Sequence, residues 1–465
     1  MVRLTIADEN VEKYLENLLR ENKWFIGVII GQLTAQRNFV VHLTRTPDPV
    51  EDEVSEENGE DESGDAATRN VTKKPDLVRP NSLDKLDEKW VYTHAKQVSR
   101  MLPGGLNVIG LFALAPSLML KTSQSKLKQI LYSLYKNLNK NVIVSTETTT
   151  DRILLQLDTS TKKLSCTTID ASDIKSAPKP SEWKYHSGEN QWVKLTSLVN
   201  LDIPICVSSE SKHQTLIKQL QVGLVEFGDS IKRSIITFNG LIREPSESLL
   251  VLSDRKGRKD IHNASDSIIT QDVVIYLPLE SKDGLCEPKV KTSQATINMI
   301  GTTVIRAFVS TKATVRDAIE AVKMDIIRSL MIRCELLCEE FNVTEGKQGS
   351  EVYDPPVRLF CQLPQCGLEV CDYVFQDEKQ DEVKERIKEL LDIEVEELEE
   401  TEKSAADDGT WSCPSSLSCM SSHQSLAAPQ ISDNRHLMKA SFWTTVGCLI
   451  AVVASWMSYQ YMYDE

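Results

Sequence analysis

The stretch LNVIGLFALAP, from Leu106 to Pro116, carries the strongest structural signal in this sequence. It contains no charged residue and is mostly large and apolar, and this length and composition predict a buried strand. A helical pattern of apolar residues covers 86–102 and ends at a Pro-Gly-Gly triplet, and a second helical pattern covers 123–138. The strand is therefore predicted to lie between two helices.

The residues before this strand predict a helix and a hairpin. A short strand and an amphipathic helix come first, and the β-rich runs WFIGVIIGQ (24–32) and NFVVHLTRTP (38–47) follow, joined by a short polar turn. The stretch from 49 to 80 has few large apolar residues and nine acids between Glu51 and Asp65. Such a composition cannot form a core, so it predicts a disordered insertion.

The residues after the strand complete a first domain. NVIVSTET (141–148), DRILLQLD (151–158) and KLSCTTID (163–170) have strand composition. The alternation of helices and strands predicts an α+β or α/β domain over 1–173, and the Pro-containing linker DIKSAPKPSE (173–182) marks its boundary.

A second, β-rich α+β domain is predicted over 183–376. It contains a helix from about His213 to Ser234 and a long helix from Thr314 to Phe341, whose apolar stripe includes Val322, Ile326 and Leu330. Strands are predicted at SIITFNGLI, SLLVLS, QDVVIYLPL, SQATINMIGTTVIRAFV, PVRLFCQL and VCDYVFQ. An acidic helix is expected over 378–402.

The C-terminal segment predicts a membrane anchor. Residues 403–439 form a polar linker, and the span at 440–463 includes 23 successive uncharged positions. At about 1.5 Å per residue, 23 helical residues cover roughly 35 Å, enough for a bilayer core of about 30 Å. The positions that define this anchor are Ser441, Trp443, Gly447, Ala451, Trp456 and Tyr461, of which Gly447 and Ala451 form a small-xxx-small pair. A buried helix is the alternative.

The charges beside this span predict its orientation. Arg435, His436 and Lys439 precede it, and Asp464 and Glu465 follow it. Positive residues favour the cytosolic side, so the body is expected in the cytosol and the C-terminus in the lumen. The moderate hydrophobicity of the span fits the endoplasmic reticulum slightly better than the plasma membrane.

Composition excludes some classes of function. A net charge of −15 argues against a nucleic-acid surface. Eleven cysteines without a regular pairing pattern favour reduced thiols in the cytosol. Cys361, Cys366 and Cys371 are spaced too widely for the usual zinc ligand pairs, so they are interpreted as buried thiols, and neither a metal nor another cofactor is expected.

The sequence contains no motif of the common hydrolases or nucleotide-binding loops. The histidines outside the C-terminal segment are His42, His94, His186, His213 and His262, and each is isolated in sequence. An isolated histidine is more often structural than catalytic, and no local signature selects a cysteine–histidine pair. The chain is therefore expected not to be an enzyme.

The order of elements around Gly110–Pro116 resembles the MPN fold of JAMM-type isopeptidases. Catalytic members have Gly-Trp-Tyr-His-Ser-His-Pro or a similar segment there, and their two histidines bind zinc. Ala113 and Ala115 occupy those two positions here, and no Asp occurs between Ser117 and Asn141 to supply the third ligand. Methyl groups cannot coordinate zinc. The resemblance implies a metal-less scaffold that pairs with another MPN-like domain.

Over nearly its full length the chain resembles the Odr-four (odorant-response-abnormal protein four) family of tail-anchored proteins, in phrases such as WFIGVIIGQ and ITFNGLIRE and in the order of its regions. This resemblance implies a role in the folding or export of G-protein-coupled receptors from the endoplasmic reticulum. It also implies a link to the protease of the ubiquitin-fold modifier, which carries an MPN-like domain. Three hypotheses follow: a membrane adaptor that recruits this protease, a receptor chaperone that acts through its transmembrane helix, and a cryptic hydrolase.

Overall fold

The computed structural model describes residues 3–34, 37–48, 80–140, 149–186, 192–207, 214–249, 268–278, 293, 295–343, 353–364, 366–400 and 402. The chain divides into two compact units, residues 1–409 and 410–465, and every described residue belongs to the first. Helices and strands both contribute extensively to this unit, which confirms the α+β class.

The first part of the fold is a closed sheet of seven strands. These are β1 (Arg3–Asp8), β2 (Phe25–Leu33), β3 (Arg37–Arg45), β4 (Asn107–Ala115), β5 (Asp151–Asp158), β6 (Leu164–Asp170) and β7 (Lys179–His186). Strands β2 and β3 form the predicted antiparallel hairpin, and β4 lies between β2 and β5. Strand β1 pairs in parallel with both β3 and β7, which closes the sheet.

Helices cover both faces of this sheet. Helix α1 (Glu9–Arg20), capped by the Asp8 side chain, packs through Val11, Leu15 and Leu18 on one face. On the other face lie α2 (Glu88–Arg100), α3 (Ser117–Thr122) and α4 (Gln124–Leu138), together with a 3₁₀ turn at Leu83–Lys85. Because both faces are covered, β4 is buried along nearly its whole length.

The second sheet has four strands in the order β11-β8-β10-β9. Its elements are β8 (Trp192–Val207), α5 (Leu216–Arg233), β9 (Ile235–Phe238), β10 (Ile269–Tyr276), β11 (Ala295–Ser310) and α6 (Val315–Val343). Helices α5 and α6 pack on one face of this sheet in a common core. The stripe predicted along the long helix, including Val322, Ile326 and Leu330, is buried in that core.

The last elements return to the first sheet. Strands β12 (Val357–Gln362), β13 (Glu369–Val374) and β14 (Glu399–Glu400) form a three-stranded sheet, and α7 is Gln380–Leu391. Leu359 of β12 and Val383 and Ile387 of α7 share one hydrophobic core with α2 and α4.

Several predictions differ from the structure, and others concern residues that the structure does not describe. The acidic helix predicted over 378–402 is wrong in extent, because α7 ends at Leu391, Asp392 adopts a left-handed conformation and Glu399–Glu400 pair with β12. Residues 179–182 of the predicted linker belong to β7. The acidic insertion predicted over about 49–80 lies outside the described residues except for its last residue, as do the strand expected at 141–148 and most of SLLVLS.

No helix in the described part of the chain is both long enough and apolar enough to span a bilayer. The anchor predicted at 440–463, its flank at Arg435, His436 and Lys439, and the linker before it lie outside the described residues. The division into domains at 173–183 stays a prediction.

Candidate functional site

The candidate site singled out by the sequence lies at the C-terminal end of β4. Ala113 and Ala115 are 1% and 0% exposed, and both face the core beneath α2 and α4. Across the sheet, Ala113 lies between Ile26 of β2 and Gln156 of β5. Methyl groups therefore fill this end of β4.

Two polar side chains of β5 lie beside the alanines. Gln156, opposite Ala113, accepts a hydrogen bond from the Gln124 side chain at 2.9 Å, and its own amide nitrogen is buried with no partner within the described residues. Asp158, opposite Ala115, accepts hydrogen bonds from the Thr161 hydroxyl at 2.7 Å and from the backbone of Ser160 at 2.9 Å. The Thr161 hydroxyl lowers the pKa of Asp158. Asp158 therefore organises the β5–β6 turn.

These residues do not fit a zinc ion. Ala113 and Ala115 offer no donor atom, and Asp158 already binds its own turn. The carboxylate of Glu88 on α2 is also already paired, because Lys126 of α4 contacts it at 3.0 Å. Over the ranges that the structure describes, no three side chains of the metal-binding types cluster at this strand end or elsewhere.

Two of the isolated histidines hold the end of α7. The Nε2 atoms of His42 (β3) and His94 (α2) donate to the carbonyls of Leu391 and Leu390 at 2.7 and 2.9 Å, and the Thr44 hydroxyl also donates to Leu390 at 2.8 Å. The last carbonyls of a helix have no partner within the helix, so these side chains satisfy them. Burial lowers the pKa of His42 and lowers that of His94 to about 4. Both imidazoles are thus neutral structural donors.

Asp392 continues this attachment one residue beyond the helix. Its carboxylate accepts a hydrogen bond from the Tyr14 hydroxyl at 2.8 Å and pairs with Arg45 at 3.1 Å. The Tyr14 hydroxyl in turn accepts from the Arg45 backbone at 3.1 Å. Helix α7 is therefore joined to α1, α2 and β3. His186 ends β7, whereas His213 and His262 lie outside the described residues.

The three equally spaced cysteines do not converge. Cys361 and Cys366 lie in the core shared with α2 and α4, whereas Cys371 faces the opposite side of the β12–β13 hairpin. Burial raises the pKa of Cys361 and of Cys366 to about 12. These thiols are buried apolar side chains in the structure.

The sequence interpretation missed a cluster of buried charges, which we call the junction cluster: Arg306, Asp325, Arg333, Arg358, Glu369 and Glu402. Arg358 (β12) and Asp325 (α6) form a two-point ion pair at 2.8 and 2.9 Å and are 1% and 0% exposed. Asp325 also accepts from the backbone nitrogens of Gly104 and Arg306. Burial alone would lower the pKa of Arg358, but Asp325 raises it. One carboxylate thus joins the loop before β4 to both later sheets.

The rest of the junction cluster holds the last described residues. Glu402 contacts Arg333 at 2.5 Å and accepts from the Thr303 hydroxyl and the backbone nitrogens of Val304 and Arg358. Arg306 pairs with Glu369 at 2.7 Å and with Glu399 at 2.6 Å. A charged residue inside the apolar pattern of the long helix, at Asp325, is the signal that could have indicated this cluster.

In the part of the chain that the structure describes, these observations define an α+β protein with three sheets, in which Ala113 and Ala115 fill a buried apolar strand end. The model of the odorant response abnormal 4-like family matches residues 27–401, and the chain belongs to this family. The protein odr-4 homolog of Homo sapiens is 31% identical over all of both chains, and that of Mus musculus is 30% identical over the same extent. The Xenopus laevis homolog is 32% identical over 87% of each chain.

Among solved structures, the crystal structure of UfSP from C. elegans aligns with a TM-score of 0.42 at 10% identity, covering 84% of this chain and 57% of that chain. This likeness is too low to establish a shared fold.

Proposed function

We propose that this protein is a non-catalytic adaptor, anchored in the endoplasmic reticulum membrane by its C-terminal span, that recruits a cytosolic partner. The observation that carries the proposal is the pair Ala113 and Ala115, which are buried by apolar neighbours at the one place where the resemblance to isopeptidases would require zinc ligands. Membership of the odorant response abnormal 4-like family supports a role connected with odorant receptors.

The proposed partner is the protease of the ubiquitin-fold modifier, and the proposed outcome is support for the trafficking or folding of G-protein-coupled receptors. The body lies in the cytosol in this proposal, and the C-terminus lies in the lumen. The proposal treats the Ser- and Ala-rich segment from 404 to 433 as a tether, because a flexible chain of about 30 residues would reach roughly 30 Å and let the body engage its partner away from the bilayer.

The first experiment compares the full chain with a chain that ends at Asp433. The full chain is expected to fractionate with membranes and to co-purify with the protease. The shorter chain is expected to be soluble and to retain the protease, because it keeps residues 1–409 complete. A shorter chain that stays with membranes, or that loses the protease, contradicts this division of roles.

A second experiment separates the adaptor from a chaperone that reads receptor helices. Residues 441–463 are replaced by an unrelated apolar span of equal length. An adaptor is expected to keep receptor export near the wild-type level, whereas loss of export with membrane attachment intact indicates a direct role of the helix.

A third experiment tests the absence of catalysis. Purified protein is analysed for bound zinc and for cleavage of a modifier–peptide fusion. We expect less than one zinc per ten chains and no cleavage above buffer. Stoichiometric zinc with turnover would contradict the proposal.

A further inference from the structure

In the described part of the chain, helices cover only one face of the second sheet. Alternate side chains of its strands, such as Val199, Ile236 and Val273, pack with α5 and α6 in one core. The side chains between them project from the other face, because successive side chains of a strand alternate. We call the uncovered part of this other face the open face, and its exposed apolar side chains are Leu198, Ile235, Val274, Tyr276 and Ile300.

The three-stranded sheet covers the neighbouring part of the same side. Lys194 of β8 pairs with Glu369 of β13, and Arg306 of β11 pairs with Glu369 and with Glu399 of β14. These polar contacts do not reach Leu198, which lies four residues beyond Lys194 and is 66% exposed. The open face therefore begins where an interface within the chain ends.

The apolar side chains of the open face lie on neighbouring strands. Tyr276 of β10 is directly opposite Ile235 of β9. Val274 of β10 and Leu198 of β8 each lie two residues beyond the parallel pairing of these strands, so they project from the same side. Val274 is 45% exposed and Tyr276 is 55% exposed. An apolar surface of this kind marks an interaction site, and parallel strands usually have helices on both faces.

Two carboxylates flank this apolar surface. Asp272 lies two residues before Val274 on β10, and Asp202 lies four residues after Leu198 on β8, so both project from the open side. Both are exposed, and neither forms an ion pair with another described residue. Asp272 is in register with Thr196, six residues before Asp202, so about 20 Å separates the two carboxylates along the sheet.

We propose that the open face binds a basic amphipathic helix of a partner protein. The apolar side of this helix packs on Leu198, Val274 and Tyr276, as α5 and α6 pack on the opposite face of the sheet. Its Lys and Arg side chains pair with Asp272 and Asp202 and lie about 13 residues apart, because a helix rises about 1.5 Å per residue. This inference rests on the proposed function and deepens it, because it gives the adaptor a docking surface and its partner a recognition chemistry.

Charge selects a basic protein segment over other occupants. The net charge of −15 on the chain attracts a basic segment. A second copy would instead bring Asp202 and Asp272 against an equally acidic surface. The cytosolic surface of a membrane is anionic, so the same two carboxylates repel it.

The test places a photoreactive benzoylphenylalanine at position 276 of the full chain in cells. It replaces one exposed aromatic residue by another, and the same group at the exposed Val222 of α5 is the matched control. The cross-linked peptide is expected to come from another protein and to carry apolar residues at helical spacing with Lys or Arg near both ends. Asp202→Asn/Asp272→Asn is expected to lower the yield at least about fivefold, because it removes both charge pairs.

The following outcomes overturn the proposal. They are a cross-link to the chain itself, to a second copy, to lipid or to a segment without this chemistry, and a yield no higher than that of the Val222 control. A yield that Asp202→Asn/Asp272→Asn leaves unchanged also overturns it. Glu385→Gln/Glu389→Gln on α7 removes two exposed carboxylates elsewhere and is expected to leave the yield unchanged.

A second pair of substitutions tests the apolar contact. Leu198→Thr/Val274→Thr keeps strand-forming residues, so the melting temperature of the purified full chain is expected to stay unchanged while the cross-link falls at least about tenfold. An unchanged cross-link overturns the proposal. The protein that supplies the helix separates this proposal from the proposed function: a matching helix from a protein other than the protease keeps the docking surface and contradicts the proposed partner. A protease that co-purifies equally with wild type and with both open-face variants contradicts the docking surface alone.

Discussion

The end of β4 and the junction cluster are both buried, yet they are built from opposite chemistry. At the strand end, Ala113 and Ala115 are packed against aliphatic neighbours. In the junction cluster, three arginines and three carboxylates are each less than a tenth exposed. Burying a charge costs free energy. This chain nevertheless buries these six charges, and it places them where segments distant in sequence meet.

This difference indicates what the polar groups do. Each carboxylate of the junction cluster binds elements that are distant in sequence, as Asp325 binds Gly104, Arg306 and Arg358. His42 and His94 likewise donate to the end of α7. The groups with catalytic potential join parts of the fold in this protein, whereas the strand end contributes packing. The following predictions test this contrast from the largest expected effect to the smallest.

Asp325→Asn is expected to have the largest effect. The substitution leaves the Arg358 guanidinium buried without its carboxylate, and breaking a buried pair in this way costs about 3–5 kcal/mol. The free energy of unfolding, measured by urea denaturation of the full chain in detergent, should fall by that amount. Adding Arg358→Met should recover part of the loss, because it removes the unpaired charge.

The control for this prediction is an exposed ion pair. Lys388 and Glu394 lie 3.0 Å apart with side chains 62% and 84% exposed. Glu394→Gln should change the free energy of unfolding by less than about 1 kcal/mol. If Asp325→Asn has an effect as small as that control, the contrast between the two regions fails.

Acid should weaken the attachment of α7. Burial lowers the pKa of His94 to about 4 in the folded protein, below the ordinary imidazole value of 6.5. The unfolded chain therefore binds a proton first, and stability is complete above pH 6.5, falls as the pH decreases from 6.5 to 4, and then levels off for this group. The full difference corresponds to about 3 kcal/mol.

A matched pair of variants isolates this titration. His94→Phe should make the dependence of the unfolding free energy on pH shallower between 6.5 and 4, and part of the remaining slope belongs to His42, whose pKa burial also lowers. Thr44→Val removes the other donor to the Leu390 carbonyl and carries no titratable group, so it should lower stability at every pH and keep the slope. An unchanged slope in His94→Phe would contradict the assignment of His94 as a neutral donor.

The sequence predicted the local elements better than the joins between them. Strand β4, the β2–β3 hairpin and helix α6 follow from apolar periodicity, which is a local property. The closing strand β7 (KPSEWKYH) contains a proline and alternates with polar residues, so its parallel pairing with β1 has no local signal. The acidic run at 394–402 suggested a solvated helix. Its pairing was missed because its partners Arg306 and Arg333 are distant in sequence.

At the candidate site, the sequence singled out two residues but not their neighbours. Ala113 and Ala115 mark the end of β4 in the sequence and lie there in the structure. Their partners could not be predicted, because Gln156 and Asp158 become neighbours only through the parallel β4–β5 pairing. Long-range pairing of this kind depends on the whole sheet, not on a local pattern.

Histidines at 113 and 115 together should not create a metal site. Both positions are buried, and a larger side chain in a packed core costs about 1–3 kcal/mol. The variant Ala113→His/Ala115→His should therefore be less stable than wild type by about 2 kcal/mol, because the two residues lie in one core and their costs do not add in full. Zinc should not raise its melting temperature. A zinc-dependent rise of several degrees would show that this strand end can hold two histidines in a zinc-binding geometry.

Ala113→Ser should have the smallest effect. Gln156 lies opposite Ala113, and its amide nitrogen is buried without a partner within the described residues. A serine hydroxyl at 113 can accept from that nitrogen, which offsets the cost of burying the hydroxyl, so the change should stay within about 1 kcal/mol. Ala113→Thr and Ala113→Val have nearly the same volume and differ in the hydroxyl acceptor, so Ala113→Val should destabilise the protein more than Ala113→Thr does. Equal costs in urea denaturation would mean that packing alone governs this strand end, and the contrast with the junction cluster would then be complete.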